Sequence, residues 1–593
     1  MRYEKDKLNE NDEGIGSERA GVNEPNTKNE YENENASGKV RGSDHFLVKL
    51  IDEEASAKPF GRTMRTRFPP EPNGYLHIGS AYAIHTNYSV AARYNGTFHL
   101  RFDDTNPLKE DMAYVDAILE DIKWLGYDPG DHVYYGSDYS DAIYRAAVAL
   151  IEKGKAYVCD LTPEEVTAYR GTLTEPGKNS PYRDRPVAEN LSLFERMKNG
   201  EFPASAKTVR AKIDMGSPNI NLRDPVLYRI LFAAHYRTGT EWCIYPMYDF
   251  AHPIQDAIEG ITYSLCSNEF KDHRPLYEWV LNELDTREPP RQREFGRLNV
   301  TGVVTSKRFL RQLVEGGFVD GWDDPRLPTL RGLRRRGFTP ESIRGFMEQI
   351  GSIRAESTVD ISLLEQGLRQ ELKASAPSIM AVLRPLKVVI DNYPPEVTEY
   401  VTIENNAENE ALGKRDVPFS RTVYVERDDF MEQPVKGFHR LSPGSEVRLK
   451  GAYYVRCEEA VKDPETGEIT ELRCTYDPLT KSGTGFAGRK VKGTIHWVSA
   501  EHAVRAEVRL FDRLLLDRHV PKDDGGDWAK ALNPDSRVIV SEALLEPSAG
   551  DARREDRFQL FRHGYFCVDK TSEPGGGLIL NRIVPLKDSW SKT

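Results

Sequence analysis

Two hydrophobic periods divide this chain. From residue 61 to about 136, short apolar and β-branched runs alternate with stretches of helical period, in the order strand, helix, strand, helix. The first strand ends at Phe68, where Pro69 and Pro70 stop it, and Asn73-Gly74 supplies turn chemistry before a periodic helix from Ile78 to Ala92. A second strand begins at Thr97, and a helix is expected from Lys109 to Leu125 with Val115, Ile118, Leu119 and Ile122 on one face. This order predicts an α/β fold with a parallel, doubly wound sheet. Residues 137–240 read as an insertion of helices and polar loops, including Gly171 to Lys178, after which the sheet is expected to resume at Cys243-Ile244-Tyr245-Pro246 and continue over 241–300. Residues 301–375 turn helical, with a basic stretch from Leu333 to Gly337 followed by Thr339-Pro340-Glu341, an N-terminal cap pattern. Beyond Pro377 the period becomes two. Runs such as Leu386 to Ile390, Arg421 to Val425 and Ser536 to Val540, separated by Pro, Gly and Asp turns, predict antiparallel β-barrels over 376–593. Residues 1–43 have few apolar side chains to offset ordering entropy, so a disordered acidic tail is expected there.

Composition narrows the class. A chain of 593 residues exceeds what one core organises, and its 39% hydrophobic share suits a globular protein of several domains. No apolar run approaches membrane-spanning length and the N-terminus lacks the cationic-then-apolar order of a signal peptide, so a cytoplasmic protein with no membrane partner is expected. Six scattered cysteines contain no Cys-x-x-Cys pair, and no metal site is expected from them. The net charge of -12 excludes indiscriminate nucleic-acid binding, and any RNA-binding surface must be a segregated basic face. Candidates are Arg331, Arg334, Arg335 and Arg336, with Arg489, Lys490 and Lys492 in a Gly-rich loop.

The sharpest chemical signal is Arg67-Phe68-Pro69-Pro70-Glu71-Pro72-Asn73-Gly74-Tyr75-Leu76-His77-Ile78-Gly79-Ser80, a strand, a proline-braked turn and a histidine opening a helix. A helix N-terminus at a strand's carboxyl end attracts phosphate through free N–H groups and the macrodipole. At about 100° per residue, His77 and Ser80 share one face of the first turn and can reach one phosphate. Asp103 follows the second strand, where open α/β sheets bind ligands, and a carboxylate there can pair with an α-ammonium group.

At these residues the chain resembles the HIGH signature of the class I aminoacyl-tRNA synthetases, in the form used by glutaminyl- and eukaryote-like glutamyl-tRNA synthetases. The likeness continues through Thr97 to Pro107, Tyr182-Arg183-Asp184-Arg185, Arg223 to Arg229, Tyr245 to Phe250 and Gly321 to Arg326. Val304-Thr305-Ser306-Lys307-Arg308 resembles the mobile KMSKS loop and stands where that family places it. The resemblance runs from about Arg67 to the C-terminus and is closest to the bacterial glutaminyl enzymes. It implies a Rossmann-like parallel sheet over 61–136 and 241–300, an inserted acceptor-stem-binding domain over 137–240, a helical subdomain with the KMSKS-like loop over 301–375, and two anticodon-binding β-barrels over 376–593, one of them built from discontinuous segments.

The resemblance also implies chemistry. The expected reaction is that of an aminoacyl-tRNA ligase using ATP with substrate-associated Mg²⁺, L-glutamine and tRNA(Gln), carried by a monomer. Implied catalytic residues are His77, Ser80 and Lys307. Implied ATP contacts are Glu71, Pro72, Asn73, the segment His77-Ile78-Gly79-Ser80-Ala81-Tyr82-Ala83, Ser267, Arg297, Leu298 and Thr305-Ser306-Lys307. Asp103 is expected to hold the amino group of glutamine, and Tyr248, whose hydroxyl donates and accepts, suits a neutral amide. Asp104 is read as a structural cap. Leu173 is expected to wedge against the first base pair of the acceptor stem, Asp272 to read base edges nearby, and Gln559 and Arg562 to contact the anticodon. Alternation puts Gln559 and Phe561 on one strand face and Leu560 and Arg562 on the other, so without a bend only one polar group faces RNA.

Three positions depart from the family pattern: Ser80 replaces the second signature histidine, Thr305 the loop methionine, and Ser378 an arginine expected in close relatives. Serine donates to phosphate but carries no cation, so slower activation or altered ATP affinity is expected. His85 is rotated about 140° away from Ser80 and is not expected to substitute. Two alternatives remain at this point. A glutamyl enzyme would need a cation for the γ-carboxylate, and glutamyl relatives are expected to place an arginine where Cys266 stands. A noncatalytic paralogue binding tRNA or nucleotide is motivated by Ser80 and Thr305, and opposed by Asp103, Tyr248, Lys307 and both barrel regions.

Overall fold

The computed structural model describes residues 46–57, 61–108, 110–516, 531–573 and 577–586, and the acidic tail expected at 1–43 lies outside them. Helix α1 (Phe46–Ala57) buries Leu47 and Ile51 in the core of the first sheet. Strands β1 (Arg65–Phe68), β2 (Thr97–Phe102) and β3 (Val133–Tyr135) alternate with α2 (Ile78–Arg93) and α3 (Met112–Trp124). The strands are parallel, with Arg65 opposite Thr97 and Leu100 opposite Val133. Helix α3 starts at Met112 rather than Lys109 because Asp111 caps it, its carboxylate accepting the Ala113 N–H at 2.8 Å.

The insertion contains α4 (Ser140–Glu152), β4 (Ala156–Cys159), α5 (Pro163–Arg170), α6 (Val187–Lys198), β5 (Thr208–Ala211), β6 (Val226–Ile230) and β7 (Ile244–Pro246). Its four strands form an antiparallel sheet in the order β4-β5-β6-β7, sharing a core with Ile143 and Leu150 of α4 and Phe194 and Met197 of α6. The expected return of the parallel sheet at Cys243 to Pro246 is therefore corrected: Ile244 pairs antiparallel with Ile230 and Pro246 with Tyr228. A short apolar run does not reveal its partner strand. The parallel sheet returns one element later. After α7 (Tyr248–Ile258) comes β8 (Tyr263–Ser267), and after α8 (Arg274–Glu283) comes β9 (Arg291–Phe295), parallel to it. The Thr262 N–H donates to the Arg65 carbonyl at 2.9 Å, which sets β8 beside β1.

Strand β10 (Leu298–Thr301) leads into α9 (Lys307–Glu315), α10 (Leu330–Arg336) and α11 (Pro340–Ile350), then β11 (Ser357–Asp360), parallel to β10, and α12 (Ile361–Ser375). Thr339 caps α11, its hydroxyl accepting the Ser342 N–H at 3.1 Å. Helix α10 ends at Gly337, whose φ of 111° and close approach to the C-terminal sheet both exclude a side chain: a Cβ there would lie 2.5 Å from that of Cys567.

The arginines of α10, clustered in the sequence, are each engaged by protein partners. Arg331 and Arg334 pair with Glu120 of α3 at 2.5 and 3.1 Å, Arg334 also reaches Glu555, Arg335 pairs with buried Asp569 at 3.0 Å, and Arg336 donates to the Ile583 carbonyl at 3.0 Å. They clamp the first sheet's helix to the C-terminal region. Arg489 is likewise paired, with Glu446 and Asp477, while Lys490 and Lys492 are exposed.

Two seven-stranded, curled, barrel-like sheets complete the chain. One is built around Pro385–Ile390, Thr422–Glu426, Tyr454–Lys462 and Ile469–Asp477. The other has the short strands Ser378–Ile379 and Ala381–Val382 at its two ends and takes the rest of its strands from Val504 onward, so it is assembled from distant segments. Most pairs are antiparallel, joined by parallel ones such as Val388 with Leu472 and Val508 with Leu580. No helix among the described residues is long and apolar enough to cross a membrane.

Candidate active site and RNA-facing surfaces

The turn between β1 and α2 is braced through its backbone. The Asp103 N–H donates to the Pro70 carbonyl at 2.9 Å and the Asp111 N–H to the Pro72 carbonyl at 3.0 Å. His77 is the N-cap of α2: its Nδ1 accepts the Gly79 N–H at 3.1 Å, and Ser80 Oγ accepts the His77 N–H at 3.3 Å. This reciprocal box uses one acceptor from each side chain and leaves His77 Nε2–H and the Ser80 hydroxyl proton as donors. Burial of the ring, reinforced by Lys307 and Arg297, holds His77 down at about 4. At neutral pH the signature histidine is therefore an uncharged donor, and Ser80 offers a group of the same kind. His85 turns away to Tyr127, with Nδ1 at 2.7 Å from its hydroxyl.

A cavity of about 310 Å³ opens at this helix end, lined by His77, Gly79, Ser80, Tyr82 and Ala83, and across from them by Ser267, Arg297, Leu298 and Thr305. Ile78 and Ala81, also expected at ATP, are instead buried in the core against the sheet. Glu71, Pro72, Asn73, Ser306 and Lys307 do not line the cavity. Three of them are joined by other contacts: Lys307 Nζ donates to Asn73 Oδ1 at 2.6 Å, and Asn73 Nδ2 donates to Glu71. Lys307 is the first residue of α9, with Ser306 as its N-cap.

Asp103, which follows β2, does not line this cavity and sits among buried charges. Asp103 is 6% exposed, and burial pushes its carboxyl up to about 7, opposed by Arg101 and aided by Glu71, Glu110 and Asp104. An arriving ammonium group would restore the charged form. Asp104 is a brace, accepting the Ser137 N–H and hydroxyl at 2.7 Å each and the Tyr236 hydroxyl at 3.0 Å. Tyr248 opens α7 and lines the cavity, its ring stacked on His252 at 4.9 Å and tilted against Phe270 at 5.3 Å.

Behind Tyr248 lies a network that sequence reasoning did not find. Arg67, fully buried, donates from Nε to Asp256 at 2.9 Å, from Nη1 to the Leu265 carbonyl at 3.1 Å and from Nη2 to Ser264 Oγ at 2.9 Å, with Cys266 Sγ at 3.7 Å. Asp256 also accepts from Arg101 at 2.8 Å and the Tyr277 hydroxyl at 3.0 Å. Burial works to raise the Asp256 carboxyl, but Arg67, His252 and Arg101 hold it well below the usual range. The thiol at 266 supplies no cation, yet a guanidinium stands beside it, and Asp256 balances that charge. Arg67 opened the most informative run in the sequence, but its partner is 189 residues away.

The RNA-directed candidates lie in two other places. Leu173 is 80% exposed at the tip of a loop, and Asp272 is exposed with its backbone carbonyl accepting from Asn219 Nδ2 at 2.7 Å and Asn221 Nδ2 at 3.3 Å. Gln559 lies on the strand Arg557–Leu560, directly opposite Ser378. Arg562 has left that strand for a turn with φ of 69°, so the alternation argument does not reach it. Its guanidinium bonds buried Asp429 at 2.6 Å, which Arg440 also holds at 2.8 Å. Arg562, Arg384, Arg440, Arg582 and His563 line a cleft of about 490 Å³. In the same cleft Glu426 takes the N–H groups of Leu383 and Arg384 at 2.6 and 3.1 Å and approaches His563 at 2.8 Å. Arg384 pairs with Asp428, and Arg440 and Arg562 share Asp429, so the cleft is a concavity of paired charges that no run of arginines in the sequence announces.

Comparisons with known proteins agree with this architecture. Residues 63–374 match the catalytic domain of the tRNA synthetases class I (E and Q), and residues 376–477 and 494–569 match anticodon-binding domains of the same group. The chain is similar to a glutamine–tRNA ligase of Clostridium perfringens, 57% identical over 548 residues that cover 92% of this chain and 98% of the relative. It is 56% identical over 549 residues to the enzymes of that name from Clostridioides difficile and Pseudomonas syringae pv. tomato, covering 92% of this chain and 98% and 96% of those relatives. With a catalytic sheet, a signature helix end and two anticodon-binding regions in that order, the chain belongs to the class I tRNA synthetases of the E and Q group.

Proposed function

We infer that the protein attaches glutamine to tRNA(Gln) in the cytoplasm, in two ATP-dependent steps on one chain. The observation that carries glutamine over glutamate is the pairing of Arg67 with Asp256 behind Tyr248. A γ-carboxylate would meet a cation already engaged by Asp256, whose second guanidinium, Arg101, is in turn held by Glu259 at 3.2 Å, whereas a neutral amide fits this balanced set of buried charges and can use the Tyr248 hydroxyl as donor or acceptor. The names of the similar glutamine–tRNA ligases support the same choice.

In the first step Asp103 would hold the α-ammonium group while the α-carboxylate attacks the α-phosphorus of ATP and pyrophosphate leaves. In the second, the 2′-hydroxyl of the terminal adenosine would attack the activated carbonyl and release AMP. Neither step needs a covalent bond to the protein, so positioning and electrostatics carry catalysis. His77 Nε2–H, the Ser80 hydroxyl, Arg297 and Lys307 supply donors and positive charge to the phosphates. Magnesium enters with ATP, since phosphate oxygens and water provide the hard oxygen ligands it prefers; Glu269, which lines the cavity, is an additional oxygen donor there.

Charging of purified tRNA with each amino acid in turn tests the proposal. Glutamine-dependent formation of aminoacyl-tRNA is expected. Dependence on glutamate would reverse the specificity, and no product above a no-enzyme control with tRNA binding intact would make the protein a noncatalytic binder.

A further inference from the structure

Buried arginines usually face a carboxylate, because an unbalanced guanidinium is costly to desolvate. Arg223 is different. It is 3% exposed, and its guanidinium faces four backbone carbonyls: Nε donates to Ser217 at 2.7 Å, and the two N–H groups of Nη1 are shared among Arg170 at 3.0 Å, Thr172 at 2.7 Å and Glu175 at 2.8 Å. Two of these, Thr172 and Glu175, belong to the loop whose tip is Leu173, and Arg170 is the last residue of α5, from which that loop leaves. The loop also closes on itself, with the Thr172 N–H donating to the Glu175 carbonyl at 3.1 Å and Thr172 Oγ1 accepting the Glu175 N–H at 3.0 Å. Its entry residue Gly171 has φ of 74°, and a Cβ there would lie 2.7 Å from the Glu175 oxygen. Loop carbonyls point inward to one planar cation, and the apolar side chain between them points out.

The chain around Arg223 reaches a second place. Asn219 and Asn221 donate to the Asp272 carbonyl, and the next residue, Asp224, takes a left-handed φ of 42° while its buried carboxylate accepts from Arg183 Nε at 2.7 Å, the Ile213 N–H at 2.8 Å and the Tyr157 hydroxyl at 3.1 Å. One segment, Ser217 to Arg223, therefore touches both the loop that exposes Leu173 and the backbone that presents Asp272, and Asp224 anchors its end.

We propose that Arg223 is a positioning residue for acceptor-stem opening: it fixes the Leu173 loop rigidly, and through Asn219 and Asn221 the same segment sets Leu173 and Asp272 at a constant separation. The proposal rests on the reading of Leu173 as a wedge. A wedge works only if its own position costs nothing to hold while a base step is unstacked. Lysine at 223 keeps the charge but presents a single ammonium on a flexible stem, and it cannot serve four carbonyls in the plane of a guanidinium.

The test compares the wild type, Leu173→Ala and Arg223→Lys on two tRNAs that differ only in whether the first acceptor pair is matched or mismatched. The mismatched RNA is the internal folding control, because an unfolded enzyme charges neither. We expect Arg223→Lys to lower kcat/KM on the matched RNA about tenfold and on the mismatched RNA by less than about threefold, the pattern also expected of Leu173→Ala. Equal losses on both RNAs for Arg223→Lys, or no loss on either, with Leu173→Ala selective, would overturn the role of Arg223 alone. Equal losses for Leu173→Ala would remove the wedge reading and the proposal with it.

Discussion

Lys307 Nζ donates to Asn73 Oδ1 at 2.6 Å and thereby joins the helix that follows the KMSKS-like loop to the turn that precedes the signature histidine, 234 positions earlier in the chain. The contact keeps an ammonium group at the edge of the nucleotide site. Under the proposed function this charge would meet departing phosphate, so Lys307→Ala should slow glutaminyl-adenylate formation by on the order of 10²-fold while leaving tRNA affinity unchanged. Single-turnover activation in the presence of tRNA and saturating ATP measures this, and an unaltered rate would end the assignment.

The role proposed for Asp103 would couple glutamine binding to pH with a definite sign. Its carboxyl is held up near 7, so the free enzyme loses the charged form as pH falls through 7. The KM for glutamine should rise below that point, approaching about tenfold per pH unit, and change little between pH 8 and 9. The folded-state value lies above the ordinary carboxylate range, so the stability it contributes is present below about pH 4 and lost as pH rises through 7. Asp103→Asn should thus abolish charging yet make the free protein more stable at pH 8, by about 1–3 kcal/mol. A variant that melts at or below the wild-type temperature at pH 8 would contradict this account.

Arg335 separates an interdomain clamp from an RNA contact. Removing it leaves the buried Asp569 carboxylate with Thr571, Asn581 and only the more distant Arg509 guanidinium at 3.8 Å, so Arg335→Ala should cost about 2 kcal/mol of stability. The dependence of tRNA binding on salt should keep its slope, whereas loss of a phosphate contact would reduce it by about one. Denaturant melts and a salt titration of tRNA affinity read the two effects independently.

Arg562 is the sharper anticodon candidate because its turn carries it off the strand that holds Gln559. Arg562→Ala leaves Asp429 still paired with Arg440, so folding should survive. Charging of tRNA with the glutamine anticodon should fall more than for Gln559→Ala, by about tenfold. A tRNA altered only in its anticodon is the control: equal loss on both RNAs would mean that Arg562 supplies general attraction and no base reading.

Local chemistry made much of this protein legible from sequence. Prolines at 69 and 70, Asn73-Gly74 and the helical period after Ile78 mark a strand, turn and helix wherever they occur, because they act through backbone dihedrals of neighbouring residues. The second strand and the carboxylate after it, the cap at Thr339 and the period-two runs beyond Pro377 were readable for the same reason. What the sequence could not decide was pairing across distance. Ile244 to Pro246 looks the same whether it joins a parallel or an antiparallel sheet, and only Tyr228 and Ile230 opposite it settle the matter. The arginines of α10 look like a cluster of charge until Glu120, Asp569 and the Ile583 carbonyl take them up, and Arg67 looks like the end of a strand until Asp256 balances it. The reciprocal His77–Ser80 cap lies between these cases: its spacing was visible, but which lone pairs it used, and hence that His77 is an uncharged donor, depended on the fold around the ring. Charge reads as surface until a distant partner buries it, and that distance is closed only by tertiary structure.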